Sequence, residues 1–177
     1  MTRKSFDLQA WLSTTKRDVR RQGARVRAVA LRRSFDASID RVWTAWTEGW
    51  RAKIVSGEAR PGQTVVLDLG QPKRTTCRIL ACEPPSRLAV TWSYGEPTEA
   101  PPDEVEVRLS QEGPGTILEL EHRSETGAPW APGIGAGWEA GVMMFDFLLR
   151  GEDPSPTFAT HAELDAFWTR LVDASAT

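Results

Sequence analysis

Two histidines, two cysteines and a scatter of carboxylates are the side chains of this 177-residue chain with the chemistry for catalysis or metal binding. His122 ends an alternating run in which Leu118, Leu120 and His122 face one way and Glu119 and Glu121 the other, so its imidazole continues the inward register of an apolar strand. It could act there as a general acid or base with Asp or Glu neighbours. Equally, it could simply hydrogen-bond a neighbouring backbone group or the Trp138 indole. Cys77 and Cys82 are five apart, which places them on opposite faces of one strand about 16 Å from each other. A disulfide needs Cα atoms within about 7 Å, so both read as free thiols. No spacing among His122, His161 and the cysteines matches a zinc or haem site, and neither a metal nor a cofactor is expected. No Gly-x-Ser-x-Gly elbow occurs, which leaves nucleophilic catalysis without visible machinery. Gly133-Ile-Gly-Ala-Gly137 only superficially resembles a dinucleotide loop: Pro129 and Pro132 stand where its strand should run, and no βαβ unit surrounds it.

The elements that must position these residues read as follows. Leu8, Trp11, Leu12, Thr15 and Val19 recur at helical spacing, predicting a peripheral helix from Phe6 to about Arg21 capped by Ser5 or Asp7. Residues 25–33 alternate at period two with Val29 and Leu31 inward. Ile39, Val42, Trp43 and Trp46 then mark one stripe of a short helix. Strands follow, separated by turn residues: Gln63 to Leu69, Thr75 to Glu83, Leu88 to Trp92, Asp103 to Leu109 and Thr116 to His122. One-sided alternation of this kind belongs to an antiparallel sheet with one wet face. Ile134 to Arg150 reads as a long, mostly buried helix. Gly133, just before it, and Gly135, Gly137 and Gly141 within it weaken it by about 1 kcal/mol each relative to alanine, which calls for a close backbone approach or an open space beside it. Thr160-His-Ala-Glu163 reads as a capping box opening a last amphipathic helix.

A composition 40% apolar and 26% charged, with no long apolar run and a charged start, fits one domain with a true core. It excludes fibrous and membrane-spanning classes, and the expected address is the cytoplasm. The net charge of −2 is uneven: residues 1–33 hold ten Lys or Arg against Asp7 and Asp18. Without interleaved aromatics this basic stretch reads as a solvated face contacting the chain's own acidic surface, and no nucleic-acid partner is expected.

A strand, a short helix, a run of antiparallel strands and a long buried helix form an α+β helix-grip pattern. Residues 35–47 (Phe35-Asp-Ala-Ser-Ile-Asp-Arg-Val-Trp-Thr-Ala-Trp-Thr), Glu83-Pro-Pro-Ser-Arg-Leu-Ala-Val-Thr-Trp92, Gly115-Thr-Ile-Leu-Glu-Leu-Glu-His122 and Gly135-Ala-Gly-Trp138 resemble successive signatures of one family. It is the family of the activator of the heat-shock-protein-90 ATPase (C-terminal domain type), within the START-like, SRPBCC superfamily. The resemblance spans residues 25–150, leaving 1–24 and 151–177 as helical extensions of the kind seen in bacterial members. It implies a curved antiparallel sheet wrapped around the long helix, with a small hydrophobic ligand between them. The ligand-binding candidates are then the inward-facing Leu67, Leu69, Val90, Trp92, Val107, Leu120, His122, Trp138, Val142 and Phe145, with Trp50 near the cavity mouth. Three functions stand open: a carrier of a small apolar or amphipathic molecule, a chaperone-linked regulator of a heat-shock ATPase, and a cyclase- or aromatase-like enzyme using His122. Against the second, eukaryotic activators use an additional preceding domain that 24 residues are too few to form.

Overall fold

The fold is given by a computed structural model, which describes residues 6–95, 99–128 and 130–176. Among them, strands β1 (Lys16–Gln22), β2 (Arg25–Phe35), β3 (Ile54–Gly57), β4 (Thr64–Leu67), β5 (Thr75–Glu83), β6 (Arg87–Tyr94), β7 (Asp103–Glu112) and β8 (Gly115–Arg123) form one antiparallel sheet. Its order is β1-β2-β8-β7-β6-β5-β4-β3. Pairings such as Val29↔His122, Leu31↔Leu120, Val107↔Leu120 and Val90↔Val105 put these side chains on one inner face. Register shifts at Arg20/Arg21, Ile54/Ser56 and Ile79/Ala81 help the sheet bend.

Helix α3 (Ala131–Leu149) covers that inner face, and α2 (Ile39–Arg51) closes one end through Val42, Trp43 and Trp46. Helices α1 (Leu8–Thr14) and α4 (His161–Ala174) pack on the far side of α3. Between α3 and α4 the chain makes a 3₁₀ turn, Ser155–Thr160. The Asp7 carboxylate caps α1 by accepting from the Ala10 N–H at 3.0 Å.

Three local expectations need correction. The N-terminal helix ends at Thr14, and residues 16–22 form the edge strand β1, paired with β2 from Lys16↔Arg32 to Gln22↔Arg25. Thr15 and Val19 are four apart, a spacing that fits a strand's period of two as well as a helix, and the unpaired edge of β2 decides between them. The stretch before residue 25 therefore adds a strand to the sheet and is not purely helical. Strand β3 was not anticipated, since Ile54–Gly57 is mostly exposed and carries no alternation. Finally, Thr160 enters α4 from the 3₁₀ turn in a helical backbone conformation. Its hydroxyl donates to the Thr157 carbonyl at 2.9 Å, so the expected capping box does not form.

The basic N-terminal stretch is largely used inside the molecule. Arg17 pairs with buried Glu139, Arg20 with Glu121, Arg32 with Glu119, and Arg33 lies 3.9 Å from Asp146. Arg21 donates to the Val172 carbonyl at 2.7 Å and to the Ser175 hydroxyl at 2.8 Å.

Candidate functional site, an apolar cavity beside the long helix

The two flanks of α3 differ in the space beside them. On one flank a Cβ at Gly135 would lie 2.3 Å from the Trp168 ring, so only glycine lets α4 pack this closely. On the other flank Gly133, Gly137 and Gly141 recur at i, i+4, i+8, and a Cβ at any of them would meet nothing within 4 Å. The alternatives left open by the glycine count, close approach and open space, are thus both present on one helix.

The open flank borders a cavity of about 650 Å³. Its floor is Leu67, Leu69, Trp92 and Tyr94 of the sheet side, and its wall is Gly137, Trp138, Gly141 and Met144 of α3. Trp50, on the last turn of α2, stands at one end, and exposed Lys53, Gln71 and His161 ring the mouth. The aromatic lining is continuous: Trp92 lies 4.9 Å from Trp138, 5.8 Å from Trp50 and 6.0 Å from Tyr94 between ring centroids. Burial raises the Tyr94 phenol, opposed by the neighbouring Trp92 side chain.

His122 lies behind this wall. The Trp138 indole N–H, which can only donate, gives its hydrogen to His122 Nδ1 at 2.9 Å, so the ring proton sits on Nε2 and donates to the Asp103 carboxylate at 3.0 Å. The His122 side chain is 1% exposed. Both ring nitrogens are occupied, and the imidazole orients Trp138 without touching the cavity. The indole hydrogen bond, one of the readings left open for this residue, is present in the fold.

The fold brings Trp50, Leu67, Leu69, Trp92 and Trp138 together on the cavity. The other candidates lie elsewhere. Val90, Val107, Leu120 and Val142 are packed in the core, and Phe145 is edge-on to Phe35 at 5.3 Å and to Trp46 at 5.2 Å. Their inward register was read correctly. What alternation cannot report is the position along the strand where α3 lifts away from the sheet. Lys53, Gln71, Tyr94, Met144 and His161 were missed, and only the glycine spacing on α3 pointed to their neighbourhood.

Other sites of interest are closed. Burial pushes the Cys77 thiol up to about 12, which keeps it protonated and unreactive. Both cysteines are free. On the outer face, a depression of about 360 Å³ is lined by ion-paired residues such as Arg20, Arg32, Glu119 and Glu121. Among the described residues no three His, Cys, Asp or Glu side chains come together as a metal site, and no helix is long and apolar enough to cross a membrane.

A bent antiparallel sheet gripping one long helix above an open cavity defines the helix-grip class of the START-like, SRPBCC superfamily. Within it the chain belongs to the family described as activator of Hsp90 ATPase homolog 1-like protein, whose sequence model matches residues 36–149. No curated protein sequence matches the chain. Among solved structures, the crystal structure of CalU16 from Micromonospora echinospora is 33% identical, with 90% of this chain and 98% of that one covered and a TM-score of 0.67. DynU16, described as a protein of the dynemicin biosynthetic locus, is 25% identical over 72% of this chain and 49% of its own, with a TM-score of 0.59. The Aha1 dimer from Colwellia psychrerythraea, at 15% identity, 69% and 95% coverage and a TM-score of 0.57, shares the fold.

Proposed function

We propose that the chain binds and holds a small apolar or amphipathic molecule in the cavity between the sheet and α3. The observation that carries this reading is a space of about 650 Å³ bordered by Gly133, Gly137 and Gly141 of α3, where an added Cβ would meet nothing within 4 Å. A folding optimum would fill such a space, because each unfilled methylene forfeits dispersion contacts and each helical glycine costs about 1 kcal/mol. The volume lies within the range of about 300–1,000 Å³ common for small-molecule sites, and the lining is apolar and aromatic with a few polar groups at the mouth. Similarity to CalU16 and to DynU16 of a biosynthetic locus is compatible with a ligand that is a biosynthetic product or intermediate.

The other two readings draw less from the geometry. Catalysis through His122 lacks a free ring nitrogen facing the cavity. Regulation of a chaperone ATPase rests on the family description alone.

The test is to fill the space. Gly137→Leu adds a good helix former pointing into the cavity without meeting another atom at its Cβ. The variant is expected to fold with an unchanged or higher Tm and to lose displacement of a bound hydrophobic dye and any co-purifying small molecule seen by native mass spectrometry. Undiminished binding in a folded Gly137→Leu protein would overturn the reading.

A further inference from the structure

We infer that the cavity's ligand is an amphipathic anion, with its apolar body against the tryptophans and its acidic head at the mouth beside Lys53. The inference rests on the ligand-binding reading and specifies the class of ligand. Its basis is the distribution of charge around one opening. Among the described residues, none that lines the cavity is a carboxylate, and Lys53 is the permanently charged group there. Among the described residues, that ammonium has no ion pair or hydrogen bond. Such isolation sets it apart from the many arginines engaged by their own carboxylates, Arg17, Arg20, Arg32, Arg87 and Arg123 among them.

Two acids near the opening, Asp68 and Asp103, have partners of their own. Asp68, whose N–H donates to the Lys53 carbonyl at 2.9 Å, accepts through its carboxylate from the Gly70 N–H at 2.9 Å and is not one of the lining residues. Asp103, paired across the strands with Trp92, is engaged by His122 Nε2 at 3.0 Å and is not one of the lining residues. The remaining polar groups at the mouth, the Gln71 amide and the His161 imidazole, can both donate hydrogen bonds to an anionic head. A chain with net charge −2 thus presents a locally basic rim above an apolar chamber. A cationic amphiphile would be repelled there and a neutral one would gain only burial, whereas an anion would gain burial and a charge partner at the edge of low-dielectric space.

The experiment compares three probes with one tail: decanoate, decanol and decylammonium, each kept below micelle formation and titrated against a displaceable hydrophobic dye. Decanoate is expected to bind about five-fold tighter than decanol, the scale of a partly exposed ion pair, and decylammonium weakest. The preference should shrink in 1 M salt, where the Debye length is about 3 Å. Lys53→Met should abolish the decanoate preference while leaving decanol unchanged, and Lys53→Glu should shift the preference to decylammonium. Equal affinity for all three probes, or a decanoate preference untouched by Lys53→Met, overturns the inference but leaves the cavity reading standing. If no probe binds, or if binding persists undiminished in Gly137→Leu, the cavity reading fails and takes this inference with it.

Discussion

Glycine at two positions of α3 does opposite work, and alanine substitution separates the two roles. At Gly135 the added methyl would collide with the Trp168 ring, fully buried between α3 and α4. Gly135→Ala should therefore destabilise by about 1–3 kcal/mol, as overpacking does, despite alanine's better helix propensity. Gly141→Ala meets only open space and should stabilise by about 1 kcal/mol while narrowing the cavity. Urea midpoints of the two variants read both signs. Similarly, the Thr75 hydroxyl is buried on β5 without a hydrogen-bond partner among the described residues. Thr75→Val keeps the shape and removes an unsatisfied group, so the urea midpoint should rise by an amount equivalent to about 1 kcal/mol. A fall would mean that the hydroxyl has a partner in solution.

At the scale of elements, Glu139 links three segments that are far apart in sequence. Its carboxylate accepts from Trp11 Nε1 of α1 at 2.9 Å, from Trp168 Nε1 of α4 at 2.8 Å and from Arg17 of β1, while Glu139 itself is wholly buried. A buried carboxylate is costly to desolvate, and here its donors come from α1 and α4 on the outer side of α3 and from the edge strand β1. Glu139→Leu strands the Arg17 charge and two indole N–H groups, and should cost about 3–5 kcal/mol. Hydrogen exchange should then report loss of protection in α1, β1 and α4 before the central strands open. Uniform loss across the sheet would contradict this role as a local tie.

For the molecule as a whole, the outer face of the sheet is an ion lattice and should govern the response to acid. Glu106 is surrounded by Arg87 at 2.6 Å, Arg108 at 2.9 Å and Arg123 at 3.6 Å. Burial alone would raise its carboxyl, but the arginines outweigh that and hold it below the ordinary value. A depressed native value contributes stability that is fully present above the unfolded glutamate range near 4.3 and is lost as pH falls through the lower folded value. Glu106→Gln should therefore lower stability at neutral pH and flatten the acid limb of a stability–pH curve. Asp146 has the opposite sign. Burial raises its carboxyl against the pull of Arg150 and Arg33, so its contribution weakens stability as pH rises through that raised value. Asp146→Asn should then remove a loss that sets in just above the ordinary aspartate range, which thermal melts across acid pH would detect.

Much of this protein was legible from local chemistry. Alternation identified the inner face of the strands at Val29, Leu31, Val90, Val107 and Leu120, because a period of two leaves few choices once one face is dry. Helical spacing found α2, α3 and α4, and the glycine count on α3 predicted either contact or space beside it. The chain's own pattern stopped short where two periods coincide, as at Thr15 and Val19, and where an element is too short and wet to alternate, as at Ile54–Gly57. It also stopped short of the site. Whether an inward residue is core, like Val107 and Phe145, or cavity wall, like Leu67 and Trp92, depends on how far α3 stands off the sheet at that point. That distance is set jointly by Trp168 pressing on Gly135, by Glu139 joining α1, β1 and α4, and by the bend of the strands. Long-range contacts of this kind have no signature in neighbouring residues, so only the tertiary structure could decide where the interior remains open.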